Sequence, residues 1–548
     1  MTATKQNKPH GMTHWLEPAR NVLTLLATTL GHHRVSRWLF GAPEHEVRPA
    51  LAQGLFASIL ITIGSWGVGS LPQAGESLFS GTTILVPMRT ETSGVIISAV
   101  LLTLGSMLLV RAWLRLSQRI DPRCQAAASF VSRAIWLWSA PVLLSFPIFS
   151  RDVYSYLAQG RLYASGANPY ENWVSQLPGW FMQGADGLWA ESYSPYGPLF
   201  LVLAAGFWWI SGGIPEVGVL LFRLLSLASM WLMMKYLIKL SAFLRTSVTF
   251  ALWLAVANPL FLIIMVAGAH NDVLMLALLL AGTWWLARQR FIIGVVLIGL
   301  SIAIKPIVIV TVPFLVFLSL RQRESDGVSL SERFSRWVGA LGILAVALAV
   351  IGIATGLWFG WIPAMLTSGS AAFPYAPVGL IGLGLGWLAG LVGANPATVP
   401  AIFYTSMRVL AAVVLVWWAL HTQRDCLVMQ KVPRDAALAL VAVVLSAPIV
   451  QPWYLLWVLP LFVLWRSEPA RWLRWLYLGI AILVLVGVIE QFSVAQWIPQ
   501  LLVKLIAVGV GLLYLFYIVL IDPKTSVIFR DRPDARVRRG LNDAESVD

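Results

Sequence analysis

Residues 94–111 read GVIISAVLLTLGSMLLVR. The first seventeen carry no charge. In hydrocarbon every backbone N–H and C=O must be satisfied within the segment, and an α-helix does this at 1.5 Å per residue. The run therefore predicts a membrane-spanning helix. It ends in Arg111, Arg115, Arg119 and Arg123. Lys and Arg collect in the cytoplasmic loops of membrane proteins, so this end points inward.

The rest of the chain has the same character. Of 548 residues, 58% are hydrophobic and 12% charged, about half the charged share of an ordinary soluble domain. The runs are too long for barrel strands, which leaves an all-α polytopic membrane protein. The net charge of +14 would suggest nucleic acid in a soluble protein. Here the cations sit in loops beside apolar runs, where they read as topology signals and contacts to anionic lipid, and no nucleic-acid partner is expected. The first twenty residues lack the apolar core of a signal peptide. Cys124 and Cys426 both fall in basic loops, so no disulfide framework is expected.

Spans are predicted near 50–70, 94–111, 131–149, 217–236, 247–267, 271–287, 291–304, 306–320, 337–356, 401–421, 435–449, 452–465, 472–489 and 499–521. The apolar segment 196–211 is short and is expected to be re-entrant or interfacial, because a full crossing would put Lys235, Lys239 and Arg245 outside. A second short piece lies at 377–393. This gives about fourteen transmembrane helices plus partial ones. Residues 1–49 form a cytoplasmic N-terminal segment, 50–521 the membrane domain with outer loops 150–195 and 357–400, and 522–548 a basic cytoplasmic tail expected to be disordered. Arg223 and Arg408 lie inside apolar segments and should face the protein interior.

Polar residues with chemical potential gather on the outer side. Ser150-Arg151-Asp152-Val153-Tyr154-Ser155-Tyr156 opens a helix on which Asp152, Tyr156, Gln159 and Tyr163 share one face. Asp152 fits two roles, a general base for a sugar hydroxyl or a helix cap; Arg151 fits an anion ligand or a headgroup anchor. Asn168, Tyr170 and Tyr196 belong to an aromatic, turn-rich loop whose rings suit either sugar stacking or the interfacial belt. Gly268-Ala269-His270-Asn271-Asp272 packs an imidazole, an amide and a carboxylate into one short turn, where Asp272 also suits a cap. Lys305, beside hydrocarbon, is a candidate phosphate partner or a snorkelling side chain. Gln451, Trp453 and Tyr454 occupy another outer turn. No phosphate-cradling glycine loop, dinucleotide fingerprint or His/Cys metal spacing is present, so neither a metal nor a cofactor is expected.

The run Phe149 to Tyr156, with Gly160-Arg161 and Gly166-x-Asn168-Pro169-Tyr170, resembles the actinobacterial polyprenol-phosphomannose-dependent α-1,6-mannosyltransferases of the GT-C superfamily. The likeness extends to Tyr193-Ser194-Pro195-Tyr196-Gly197-Pro198, Ala269 to Asp272, Ile304-Lys305-Pro306 and Gln451 to Tyr454. Three predicted spans precede the outer loop 150–195 here, where the superfamily often has one.

The resemblance implies a GT-C-type fold and a site on the periplasmic side of the cytoplasmic membrane. It implies a polyprenyl-phosphomannose donor and a lipid-anchored α-1,6-mannan acceptor, as in lipomannan assembly. Asp152 would be the base, and Arg161, His270 and Lys305 would hold the donor phosphate. Arg151, Tyr156, Asn168, Tyr170, Tyr196, Asn271, Asp272, Gln451, Trp453 and Tyr454 would line the sugar and acceptor sites. The rivals are an arabinofuranosyl or protein O-mannosyl transferase, and a flippase for a lipid-linked sugar. A flippase would spread polar residues through the bilayer depth and often repeat its halves. Neither feature is seen.

Overall fold

The computed structural model describes residues 47–79, 81–120, 127–320, 327–367, 376–465, 472–491 and 500–529, with residues 18, 21, 22 and 25. Most of the N-terminal segment, the tail from 530, the cations Arg123, Arg321, Arg323, Arg466 and Arg471, the thiol of Cys124 and residues 368–375 of the second outer loop lie outside them.

The described residues are helical, without a strand. Among the described residues, seven helices are long and apolar enough to cross a membrane: Arg48–Val68, Thr92–Arg119, Pro215–Phe243, Leu330–Thr355, Thr398–His421, Leu473–Gln491 and Leu501–Ile521. An eighth span is present if Phe261–Ala267 and Asp272–Ala287, bent by 105° against each other, are taken together. Shorter apolar helices fill the gaps, including Pro198–Ser211, Phe291–Ile304 and Pro377–Leu391. The first of these has 14 residues and reaches about 21 Å, short of the roughly 30 Å of a hydrocarbon core. The molecule is a polytopic membrane protein.

Three expectations are corrected. The run 247–267 is not one continuous helix. Val248–Ala255 stops, and a π-helix takes over from Phe261 to Ala267. Pro259 has no N–H to donate, and the Asn258 amide fills the break, donating to the Leu254 carbonyl (2.7 Å) and accepting from Phe261 N (2.9 Å). The run 306–320 alternates 3₁₀ and α turns, with Pro306 and Pro313 each opening a piece. Arg408 is exposed, because Thr398–His421 is peripheral and only 6% of its apolar window is buried in the protein.

Arg223 does face inward. Its guanidinium donates to the carbonyls of Ala267 (2.7 Å) and Leu143 (2.8 Å) and to Ser145 Oγ (3.3 Å). A buried cation is costly unless its donors are satisfied. Here they tie the end of the π-helix, just before His270, to the segment leading into Asp152.

Loops predicted on the same side meet. Arg111 Nε pairs with Asp522 at 2.6 Å, the Gln118 side chain reaches the Lys524 carbonyl, and Gln430 reaches the Leu244 carbonyl. At the other end, Asp152, His270, Asp272, Lys305 and Trp453 come together.

Candidate active site

The segment after Ala127–Val142 turns at residues 143–145 and runs without regular structure to Phe149, whose φ of 66° makes a sharp turn. Its amide donates to Gln491 Oε1 at 2.6 Å, and the same side chain donates to the Val68 carbonyl. The chain then enters the helix Asp152–Ala164. Ser150 Oγ accepts the Asp152 amide at 3.0 Å, and the helix start has no side-chain cap bond from its own N-cap residue, Arg151. The 14% exposed Asp152 side chain instead approaches His270. The helix lies tight against Pro198–Ser211: a Cβ on Gly160 would sit 2.4 Å from the Ala204 backbone, so only glycine fits.

The second wall is the turn Gly268 to Asp272. Ala269 takes φ 55°, a left-handed conformation uncommon outside glycine, and the following His270 ring lies inside the protein. Its Nδ1 lies 3.5 Å from Asp272 Oδ2 and 3.8 Å from Asp152 Oδ2. The ring packs on Trp453, centroids 4.7 Å apart, and stands edge-on to Tyr156 at 6.4 Å. Tyr156 in turn donates to Asn271 Oδ1 at 3.4 Å and packs edge-on against Tyr196 and Phe200.

The third wall is Lys305, at the break between Phe291–Ile304 and the irregular turns that follow. Its ammonium donates to Asp272 Oδ1 at 2.7 Å and lies over the rings of Trp457 (5.0 Å) and Tyr196 (5.7 Å). Trp457 Nε1 donates to the same Asp272 oxygen at 2.5 Å. Asp272 therefore spends its charge on Lys305 rather than on capping its helix.

The two carboxylates have different environments. Asp272 is wholly buried and neutralised. Asp152 keeps an exposed edge. Burial pushes its carboxyl above the ordinary range, outweighing the pull of His270, Lys305 and Ser150. Such a split is how sites divide roles between like groups. Among the described residues, no group of three or more His, Cys, Asp or Glu side chains is arranged to hold a metal ion.

A family model described as "Alpha-(1->6)-mannopyranosyltransferase, N-terminal domain" matches residues 51–321. Alpha-(1->6)-mannopyranosyltransferase A of Mycobacterium tuberculosis is 32% identical, over 76% of this chain and 80% of its own length. A second alpha-(1->6)-mannopyranosyltransferase of that bacterium is 30% identical, over 76% of this chain and 78% of its own length. The chain belongs to the alpha-(1->6)-mannopyranosyltransferase family. The relative from Corynebacterium glutamicum, also named alpha-(1->6)-mannopyranosyltransferase A, is 26% identical over 76% of this chain and 87% of its own. No solved structure matches.

In this mannosyltransferase family member the matched region carries Asp152, His270, Asp272 and Lys305, while Trp453 and Trp457 arrive from beyond it. Tyr156, Tyr196, Asn271 and Tyr454 join the same cluster; Tyr454 stacks on Trp457 at 4.0 Å. Other candidates are placed elsewhere. Arg161 donates to the Pro178 carbonyl and to Gln183 Oε1, both at 2.8 Å, and lies over Trp208; it organises the outer loop. Asn168 closes a turn by accepting the Tyr170 amide. Tyr170 reaches the cluster indirectly, donating to the Tyr196 carbonyl at 2.8 Å. Arg151 is half-buried at the helix start, and Gln451 is buried beside Trp453.

Trp457 and Gln491 escaped the sequence reading. Trp457 is one helical turn beyond Trp453, a spacing that puts both on one face and that could have marked it. Nothing local marked Gln491, whose partners lie 342 and 423 residues away. An apolar cavity of about 480 Å³, lined by Trp66, Phe79, Tyr154, Glu216, Leu220 and Arg223 among others, opens on the Tyr154 side of the motif helix. Two residues is about half a helical turn, so this is the face away from Asp152.

Proposed function

We propose that the chain is an inverting mannosyltransferase that takes mannose from polyprenyl-phosphomannose and adds it to an α-1,6-mannan on a lipid anchor. Asp152 accepts the proton of the acceptor 6-hydroxyl. The oxygen attacks the anomeric carbon of a β-linked phosphomannose, the C–O bond to phosphate breaks, and the configuration inverts to α. Polyprenyl phosphate leaves with an extra negative charge. Lys305 is the cation nearest this charge, since it keeps 15% exposure, and stabilising a developing charge with a preset cation is a large catalytic term. Arg161 orders the loop above the donor. Tyr196 and Trp453 supply faces for sugars.

The observation that carries this reading is the contrast between the two carboxylates: one buried and paired, one at the edge of the cluster and uncommitted to capping. A family of mannosyltransferases supplies the sugar and linkage. The site is assigned to the periplasmic side of the cytoplasmic membrane, because the loops that meet there are poor in cations and those at the opposite end are rich in them.

The test is to incubate the purified protein with radiolabelled polyprenyl-phosphomannose and a short α-1,6-mannoside. Extension by an α-1,6-linked mannose is expected. Transfer from a polyprenyl-phosphoarabinose instead would overturn the donor assignment, and no transfer alongside movement of the intact lipid between leaflets would favour a flippase.

A further inference from the structure

Phe149 stands three residues before Asp152 in a backbone conformation that its side chain disfavours. Its φ of 66° lies in the left-handed region, which a bulky residue enters only where the surroundings over-determine it. Two contacts to the helix Leu473–Gln491 do so. The Phe149 amide donates to Gln491 Oε1 at 2.6 Å. The Phe149 ring packs against Gly487, one turn earlier on the same helix face, where a Cβ would come within 2.5 Å of the ring. The Gln491 amide nitrogen donates in the other direction, to the carbonyl of Val68 at 2.7 Å, the last residue of the helix Arg48–Val68.

We infer that Gln491 is a positioning residue for Asp152, acting through the Phe149 peptide. This rests on Asp152 being the base. A primary amide is acceptor and donor at once, so this one side chain sets the spacing between the motif segment and the first helix. Only Ser150 and Arg151 separate Phe149 from the helix that starts at Asp152. A change in the Phe149 dihedrals therefore carries directly into where the Asp152 carboxylate stands. A base displaced by an ångström from the hydroxyl it serves loses much of its effect.

The neighbouring contacts hold the chain on either side and leave Phe149 itself to Gln491. Before it, Ser65 Oγ accepts the Phe146 amide at 3.0 Å, and the Pro147 carbonyl accepts the Ser70 amide at 2.8 Å. After it, the Tyr154 hydroxyl donates to the Ser70 carbonyl at 2.9 Å. Gln491 is 5% exposed, so water does not compete for its bonds. Without it the Phe149 N–H would lose its acceptor in an apolar interior, which favours a different backbone conformation there. Both Gln491 bonds go to backbone atoms, so its influence on the reaction runs through Phe149.

A double-mutant cycle tests this, read as kcat and donor KM for mannose transfer from polyprenyl-phosphomannose, with melting in detergent followed on the same samples. Gln491→Met keeps the length of the side chain and removes both bonds. In the otherwise wild-type protein it should lower kcat about 10- to 100-fold at unchanged donor KM. In the Asp152→Asn background it should lower kcat by less than about two-fold, because the carboxylate it aims is already gone. Gly487→Ala reaches the same peptide through the Phe149 ring, removes no polar group and adds a better helix former. The same pattern is expected from it, and it decides the matter if Gln491→Met does not fold.

Equal losses in the two backgrounds would overturn the inference, since a general loosening of the protein does not depend on the base. So would wild-type kcat in a folded Gln491→Met protein, or a raised donor KM at constant kcat, which would tie Gln491 to donor binding instead. If Asp152→Asn alone keeps the wild-type rate, the base assignment has failed and the inference falls with it. If Asp152→Asn is slow and the losses are equal, the inference alone has failed.

Discussion

Two parts of the molecule meet the membrane differently. The helices Arg48–Val68, Thr92–Arg119 and Pro215–Phe243 bury half or more of their apolar windows inside the protein, whereas Leu330–Thr355 and Thr398–His421 bury 22% and 6%. The first set belongs to the scaffold that holds Asp152, His270, Asp272 and Lys305. The second set faces outward, and Leu330–Thr355 with the segment after it meets the motif helix and outer loop at a few points, such as Tyr163 donating to the Thr355 carbonyl at 2.7 Å and Tyr170 against Gly360. Charged side chains set a few ångströms apart need a rigid support. Lipid-facing helices gain nothing from precise packing on their outer side, since lipid tails are as apolar as their own residues.

Replacing Lys305 with Met should give the largest combined effect. It leaves the Asp272 carboxylate buried without its cation, a change that costs about 3–5 kcal/mol in comparable pairs. Melting in detergent should fall sharply and transfer should be lost. The double variant Lys305→Met, Asp272→Asn should recover melting without recovering transfer. Equal melting of the single variant and wild type would show that the scaffold does not depend on this pair.

Next comes Gly160→Leu. Its side chain would meet the Ala204 backbone, and overpacking of this kind costs about 1–3 kcal/mol. A reduced melting temperature with normal membrane insertion is expected.

A smaller effect is expected from pH. The folded Asp152 carboxyl titrates above the ordinary range because burial disfavours its charge. The folded state therefore holds the proton more tightly than the unfolded chain, and stability falls as pH rises through that window. Asp152→Asn should melt at or above the wild-type temperature at neutral pH, with the difference closing in acid. A lower melting temperature at neutral pH would show that the ionised carboxylate is stabilising.

Val413→Ala, on the lipid face of Thr398–His421, should change stability by no more than about 0.5 kcal/mol. A larger loss would mean that this helix has a packing partner in the membrane.

The sequence was most readable where physics is local. Apolar length marked Arg48–Val68 and Thr92–Arg119, and the mismatch between short apolar length and loop cations set Pro198–Ser211 apart. It failed at Asn258-Pro259 and at the two prolines of 306–319, where the breaks depend on backbone groups and not on hydropathy. Asp152, His270, Asp272 and Lys305 stood out as ionisable groups beside apolar runs. Their pairing did not, because Lys305 meets Asp272 across 33 residues and Trp457 meets it across 185. Arg161 was read as a phosphate ligand from its place in the motif, while its two partners in the following loop, Pro178 and Gln183, became visible only in three dimensions.

The most direct measurement is transfer from radiolabelled polyprenyl-phosphomannose by Asp152→Asn beside the wild-type protein, with melting followed on the same samples. The amide keeps the shape and removes the base, so the rate should drop at least about 100-fold while the protein remains folded. Undiminished transfer by a folded Asp152→Asn protein would contradict the account at its centre.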